Sequence, residues 1–414
     1  MRVANLLRNT YFSKDPFFLI FFVTARCNAR CKFCFNWDNI TQWKSRQELT
    51  IDEVEKMTNN IRSFQQLTIS GGEPFLRKDL DEICTLFHKN SRVQFITIPT
   101  NGLQADRTEE ILTRALKKNP KAHFRIGLST SGIHQDLDDI YGIKDSFRKH
   151  QETYRMLKGL LKQYSNLNID CSIVFSKYSE QKISNIVQYV LKNMPEANPI
   201  ISLVRGNPRL PESHEYDVES LENIYAYVKN EIPKNNNRFL AKGFNIMRDM
   251  LHEMTVEMIL ENRMVIPCKS GQKMLVVYDN GDVFPCELLD DKMGNLREHN
   301  YDIHQILKTQ KAKKVVRDIV ENKCFCTWEC ALNNNIIFSP KYSSILIRNY
   351  LLDKVGLYKP LTMAQLAYKA KRYPARKETF NQKITSKNTI TTRRKLKTFS
   401  GVSIKKSMKK TRNR

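Results

Sequence analysis

Two rhythms of apolar and polar positions alternate along the first half of the chain. Short apolar runs at 17–23, 66–70, 93–99, 124–129, 167–175 and 200–205 read as buried strands. Between them, at 49–64, 78–89, 108–118, 146–164 and 180–192, apolar residues recur every three or four positions, the spacing of amphipathic helices. Thr50 followed by Glu53 is a capping-box pattern that starts the first of these helices. Strands alternating with helices imply a parallel sheet joined by right-handed crossovers. Six such units are too few for a closed eight-stranded barrel, so an open, curved α/β sheet is expected, with its ligands at the C-terminal strand ends. Cys27, Gly71, Asn101, Ser129 and Arg205 each follow a strand and fall on that rim.

The second half reads differently. A connecting helix is expected over 236–264, then a small domain over 265–345 containing a hairpin: 274–278, the turn Asp279-Asn280-Gly281-Asp282, and 283–284. Asn-Gly between apolar residues is a strong hairpin signal. A helical segment at 346–373 and a basic tail at 374–414 follow, and an N-terminal segment, 1–15, precedes the α/β domain at 16–235.

Charge sharpens the reading of the tail. The formal net charge is +25, but 19 Lys and Arg against one acidic residue, Glu378, lie between Lys354 and Arg414, so the other 353 residues carry only +7. Beyond about Pro374 apolar residues are too sparse to bury a core, and a disordered tail is expected. Basic tails hold RNA, anionic lipid or acidic partners, or are simply solvated. No apolar run approaches the ~20 residues needed to span a bilayer, and the N-terminus does not resemble a signal peptide, so a cytoplasmic protein is expected. In that compartment ten cysteines favour metal ligation over disulfides.

Cys27, Cys31 and Cys34, spaced C-x3-C-x2-C, follow the first strand and would bring three thiolates together in one loop. Structural zinc takes four ligands in two close pairs, and buried structural thiols rarely come in threes on a loop. Three thiolates suit a four-iron cubane with one iron left open. Cys84 is no fourth ligand, because Leu80, Ile83, Cys84 and Phe87 mark a core-facing helix. The triad, with Phe33 before its last cysteine, resembles the radical S-adenosylmethionine (SAM) enzymes. The resemblance implies a partial (β/α)6 barrel whose open iron chelates SAM. Reductive cleavage of SAM then gives a 5′-deoxyadenosyl radical that abstracts hydrogen from substrate. It also implies a reductant such as flavodoxin or ferredoxin, and an oxygen-sensitive cluster suits a reducing cytoplasm.

Gly71-Gly72-Glu73-Pro74 ends the second strand, where two glycines let a backbone approach closely and Pro74 fixes a torsion. It resembles the family's Gly-Gly-Glu-Pro motif, whose backbone carbonyl receives the SAM amino group. By the same resemblance Ser129 lies near the ribose or carboxylate of SAM, and Asn101-Gly102 shapes the nucleoside pocket. Alone, a Ser or Asn at a strand end is a cap or turn residue. Two departures stand out. Ser131 replaces an acidic residue, and Tyr141 stands where relatives often carry an Arg that pairs with the SAM carboxylate. Arg125, Arg148 or Arg205 is left to compensate.

Cys268 and Cys286 bracket the hairpin, whose pairing would draw them together despite 17 intervening residues. Cys324, Cys326 and Cys330, spaced C-x-C-x3-C around Trp328, make five thiols for one site. From the chemistry alone, a structural zinc centre and an iron–sulfur cluster are equal readings. The arrangement resembles the SPASM or twitch extensions of radical SAM enzymes, which implies an auxiliary 4Fe–4S cluster with Cys326 and Cys330 as the preferred last ligands. Full ligation would leave that cluster to accept an electron from a substrate radical.

The expected function is a radical SAM oxidoreductase that oxidises or crosslinks a peptide or a small, sugar- or cyclitol-like molecule. Arg205 and Arg209 lie where an anionic substrate could be met, or in a solvated loop. RNA modification with the tail gripping phosphates is one rival. A non-catalytic, zinc-stabilised binding protein is another.

Overall fold

The computed structural model describes residues 16–61, 64–231 and 239–359. Its sheet is built outward from β1 (Phe18–Phe22), whose five residues are all buried, as a strand covered on both faces must be. The side chains divide by parity. Leu19 and Phe21 face the helix layer with Val54, Met57 and Phe87, whereas Phe18, Ile20 and Phe22 face inward against Met274, Val276 and Trp328.

The βα units follow in the expected order. Past the short α1 (Trp37–Thr41) come α2 (Ile51–Asn60), β2 (Gln66–Ser70), α3 (Leu80–Asn90), β3 (Phe95–Thr100), α4 (Ala105–Lys118) and β4 (His123–Ser129). Then come α5 (Gln135–Tyr141), α6 (Ser146–Leu161), β5 (Leu167–Phe175), α7 (Ile183–Asn193), β6 (Ala197–Leu203), α8 (Val218–Glu231) and α9 (Phe239–Glu261). Thr50 and Glu53 form the capping box that their spacing implies. Cys84 is fully buried in α3, and burial pushes its thiol far up. The sequence reading has no α1, α5 or α8, and the first two are too short to carry a helical repeat.

Six parallel strands stand in the order β6-β5-β4-β3-β2-β1, the open α/β sheet expected. The hairpin strands β7 (Met274–Val277) and β8 (Asp282–Phe284), with β9 (Gly294–Asn295), do not form a separate sheet. β7 joins β1 in parallel, Phe18 opposite Met274 and Phe21 opposite Val277, and β8 and β9 continue the same sheet antiparallel. The C-terminal region thereby covers the edge that β1 would otherwise expose.

Helices α10 (Ile303–Lys308), α11 (Gln310–Glu321), α12 (Glu329–Ile337) and α13 (Pro340–Lys354) complete the described chain. α13 runs across the boundary expected at 345, and the tail at 374–414 lies outside the described residues. No helix among the described residues is long and apolar enough to cross a membrane.

Candidate active site

The loop after β1 carries Cys27, Cys31 and Cys34, and its backbone is held from two sides. Arg30 N and Lys32 N donate to Tyr141 O and Ile140 O at 2.8 and 3.1 Å, while Arg209 N and Leu210 N donate to Cys34 O and Lys32 O, both at 2.9 Å. Burial pushes the Cys27 thiol up to about 12 and Cys34 to about 11, and Cys31 is raised well above its ordinary value. The thiols also act on one another, since charge on Cys34 raises both Cys27 and Cys31.

Opposing this, backbone N–H groups point at the sulfurs. Ala29 N donates to Cys27 Sγ at 3.4 Å, and Asn36 N favours the Cys34 thiolate in the same way. Three half-buried thiols supplied with donors for the charged form, in mutual electrostatic reach, are the donor set a cluster-bound thiolate needs. Among the described residues no three His, Cys, Asp or Glu side chains are gathered as ligands of a metal ion.

Gly71 and Gly72 are required, but the close approach they allow is to the chain itself. A Cβ on Gly71 would sit 2.4 Å from Thr24 O, and one on Gly72 would sit 2.2 Å from Arg26 O, both backbone atoms that cannot yield. Gly72 N and Glu73 N donate to those carbonyls at 2.8 Å, so the turn after β2 is laced to the start of the cysteine loop. Asn36 Nδ2 donates to Gly71 O at 3.2 Å.

Glu73 ties down the end of β3 beside the cysteine loop. Its carboxylate accepts from Thr100 Oγ1 at 2.9 Å, Asn101 N at 2.8 Å and Phe75 N at 3.3 Å. Burial still pushes its carboxyl up to about 7. Asn101 Nδ2 donates to Asn28 Oδ1 at 2.7 Å, and its side chain also favours the Cys27 thiolate, so Asn101 contacts the cysteine loop directly.

Tyr141 acts as a latch. It is buried, its hydroxyl donates to Ser129 O at 2.7 Å, and its own carbonyl holds Arg30, so it joins the β4 end to the cysteine loop. Ser131 Oγ accepts from Val174 N at 3.0 Å, which makes it a link between β4 and β5. Of the three arginines that might supply the missing charge, two lie elsewhere. Arg125 pairs with Asp170 and Arg148 with Glu152, and both are more than half exposed. Arg205 alone acts on the cysteine loop, where it favours the Cys34 thiolate.

Arg205 also meets the second thiol group. It pairs with Glu287 at 2.9 Å, its guanidinium lies 4.7 Å from the Phe35 ring and 5.6 Å from the Trp328 ring, and Cys330 and Glu329 act on its charge. Burial works against that charge, but the surrounding anions hold its pKa above the ordinary value. Glu287 and Glu329 are both buried and raised in consequence, with Arg205 opposing the shift. Neither glutamate stands out in the sequence reading. The available signal was that each adjoins a cysteine.

Cys268, Cys286, Cys324 and Cys326 influence one another: charge on Cys326, Cys268 and Cys324 raises Cys286, and charge on Cys268 and Cys324 raises Cys326. The local N–H pattern of the first site recurs, with Leu288 N donating to Cys286 Sγ at 3.4 Å and Trp328 N directed to Cys326. Cys330, one of the two last ligands expected, stands apart. Its main charged neighbours are Arg205, Glu287 and Glu329, not the other thiols. The physical reason is helical: Cys330 lies in the first turn of α12, past the loop that carries Cys324 and Cys326.

Two family profiles match the chain: the radical SAM superfamily over residues 21–190, and the SPASM iron–sulfur cluster-binding domain over residues 268–331. A probable GTP 3′,8-cyclase of Methanococcus maripaludis is 24% identical over 326 residues, covering 73% of this chain and 94% of the relative. The Fe-coproporphyrin III synthase of Methanosarcina barkeri is 29% identical over 190 residues, covering 44% of this chain and 45% of that one. Among solved structures, native anSMEcpe with bound AdoMet and Cp18Cys peptide aligns with a TM-score of 0.51 at 16% identity, over 86% of this chain and all of that one. Streptococcus suis SuiB bound to S-adenosylmethionine aligns at 0.50, also 16% identical, over 82% and 75%. These two likenesses are of fold. The sequence matches carry the assignment: the chain is an enzyme of the radical SAM superfamily with a C-terminal SPASM domain, and its cofactors are SAM and 4Fe–4S clusters.

Proposed function

We propose that this enzyme is an oxidoreductase that removes hydrogen from a peptide or small polar substrate held between its two thiol groups. Cys27, Cys31 and Cys34 hold the catalytic cluster. Gly71 to Pro74, Asn101 and Ser129 border SAM, and Cys268, Cys286, Cys324 and Cys326 hold the auxiliary cluster. When bound, the first group with SAM supplies a 5′-deoxyadenosyl radical and the second an electron sink. The observation that carries this reading is Arg205, which interacts electrostatically with Cys34 on one side and with Glu287 and Cys330 on the other.

Within that gap the chain's own residues have distinct tasks. Phe35 and Trp328 flank the Arg205 guanidinium and shield it from water. Glu287, raised by burial yet bound by Arg205, is a carboxylate suited to take a proton from substrate. Arg205 stays charged throughout and can share its donors with an anionic or carbonyl group. Tyr141 and Glu73 hold the rim in place and take no part in the chemistry.

Anaerobic reconstitution, followed by reduction in the presence of SAM, tests the reading. The wild type should bind ~8 irons and release 5′-deoxyadenosine, and a Cys27→Ala/Cys31→Ala/Cys34→Ala variant should bind ~4 and release none. SAM cleavage surviving in that variant would remove the catalytic assignment.

A further inference from the structure

We propose, resting on the function just given, that the concave face of the sheet from β2 to β6 is a substrate chamber in which Arg125 takes the carboxylate or phosphate of a small, hydroxyl-rich molecule. The two parts of that face differ. On β1 the inward side chains Phe18, Ile20 and Phe22 are buried under the C-terminal region. From β2 onward the apolar alternates, Ile96, Phe124, Ile126, Leu128 and Ile169 among them, belong to the helix-side core. What turns inward is polar, and Thr68, Thr97, Asn168, Ser172, Asn198 and Ser202 are half-buried or exposed. Even the apolar residues of this face, Phe95 and Ile200, are 51 and 38% exposed. Parallel strands covered on both faces are apolar throughout, so an inward face of amides and hydroxyls borders a space filled by water or a ligand.

Arg125, on β4, stands in this space with its side chain 52% exposed. Its Nε lies 3.3 Å from Asp170 Oδ2 on β5, and Asn198 Nδ2 on β6 donates to Asp170 Oδ1 at 3.3 Å. Asp170 is buried and lies opposite Gly127, one inward step nearer the rim than Arg125, so the pair draws the guanidinium toward the rim. Its other nitrogens have no further partner among the described residues. Pro99 and Gly127 form that level of the face, and a Cβ on Gly127 would already meet Ser172 Oγ at 3.3 Å. From Gly127 to Ser129 at the rim is about 7 Å along the strand, room for one sugar ring. Arg205, the other cation of the site, is already met by Glu287 and Glu329, whereas Arg125 has one carboxylate and free donors for an anion.

A peptide is the rival occupant, and the sheet offers it no edge. Along the outer side of β6, Pro199 carries no N–H, Ile201 O accepts from Tyr225 Oη at 3.3 Å, and Leu203 N donates to Glu329 Oε1 at 3.1 Å. A molecule short enough to lie between Arg125 and the rim, with hydroxyls for the amide and hydroxyl lining, is a sugar acid or a sugar phosphate.

Saturation-transfer NMR of the reconstituted full chain with glucose, glucuronate and glucose 6-phosphate is the test. One or both anions should bind about tenfold or more tighter than glucose, and the tighter of the two identifies the group as carboxylate or phosphate. Arg125→Gln should remove that preference and leave glucose binding unchanged, at an unchanged melting temperature because the side chain is more than half exposed. Arg125→Lys should restore part of it. Equal binding of all three, binding of none, or a preference that survives Arg125→Gln would overturn the proposal. So would turnover of a peptide that is indifferent to Arg125→Gln. The same titrations on the Cys27→Ala/Cys31→Ala/Cys34→Ala variant keep the two readings apart, since anion binding should persist there. Anion binding without 5′-deoxyadenosine release by the wild type would count against the catalytic assignment alone, and release without anion binding against the Arg125 subsite alone.

Discussion

Cys27, Cys34, Cys286 and Cys326 share a local geometry in which the backbone N–H two residues on is directed at the sulfur. That donor offsets part of the cost of a buried thiolate and marks a cysteine built to be charged. Cys330 lacks one and faces Arg205 and two glutamates, where burial pushes its thiol up to about 12. Cys324 also lacks one, but its charge acts on Cys286 and Cys326, so Cys324→Ala should lose the auxiliary cluster and fall from ~8 irons to ~4, while Cys330→Ala should keep both. Iron and acid-labile sulfide assays on the two variants decide the matter, and the opposite pattern would identify Cys330, not Cys324, as a ligand. C-x-C-x3-C could not settle this at the level of sequence, because the spacing does not reveal which cysteine has left the loop for the first turn of a helix. The grouping of Cys27, Cys31 and Cys34 was legible because all three residues lie on one loop. Arg205 was visible only as a residue at a strand end, its partners being 82 and 124 positions away.

At the level of elements, the start of α2 shows one residue serving two neighbours. Glu53 closes the capping box by accepting from Thr50 N at 2.9 Å, and it also receives Arg297 Nε at 2.6 Å, Arg297 Nη2 at 2.8 Å and Tyr301 Oη at 2.8 Å. Arg297 is the main reason its carboxyl is held down at about 2. Because the folded value lies below the ordinary one of 4.5, this stabilisation is full above that pH and is lost as pH falls toward 2. Glu53→Gln should cost about 2 kcal/mol at neutral pH, allowing for solvent screening of the pair. Denaturant melts should show the difference from wild type shrinking as pH falls through this window, and a difference flat with pH would mean that the ion pair contributes nothing. The capping role could be read from Thr50 and Glu53 alone, since a helix start is a local pattern. The second role could not, because Arg297 lies 244 residues away and reaches α2 only after the hairpin has joined the sheet.

For the whole molecule, that joining is the main fact the pattern of apolar positions could not convey. Burial on both faces marks β1 and β7 as interior strands, but nothing in either run says that they are neighbours. Their parallel pairing makes one sheet of two family domains, and it is reinforced where Arg46 grips buried Asp279 at 2.6 Å and Leu49 N donates to Asp279 O, also at 2.6 Å. Inward-facing Phe18, Ile20 and Phe22 are covered by Met274, Val276 and Trp328, so the barrel has no complete core without the C-terminal region. A chain ended after residue 264 should therefore expose both the β1 edge and those side chains, and should aggregate or bind a hydrophobic dye instead of yielding a folded barrel. A soluble monomer with a cooperative melt would show that the barrel folds alone. The same pairing fixes the distance between the thiol groups, because Cys27 follows β1 and Cys268 and Cys286 flank the β7–β8 hairpin beside it. Two strands in register thus set the gap in which Arg205 lies, and slippage between them would alter both sides of the proposed substrate site at once.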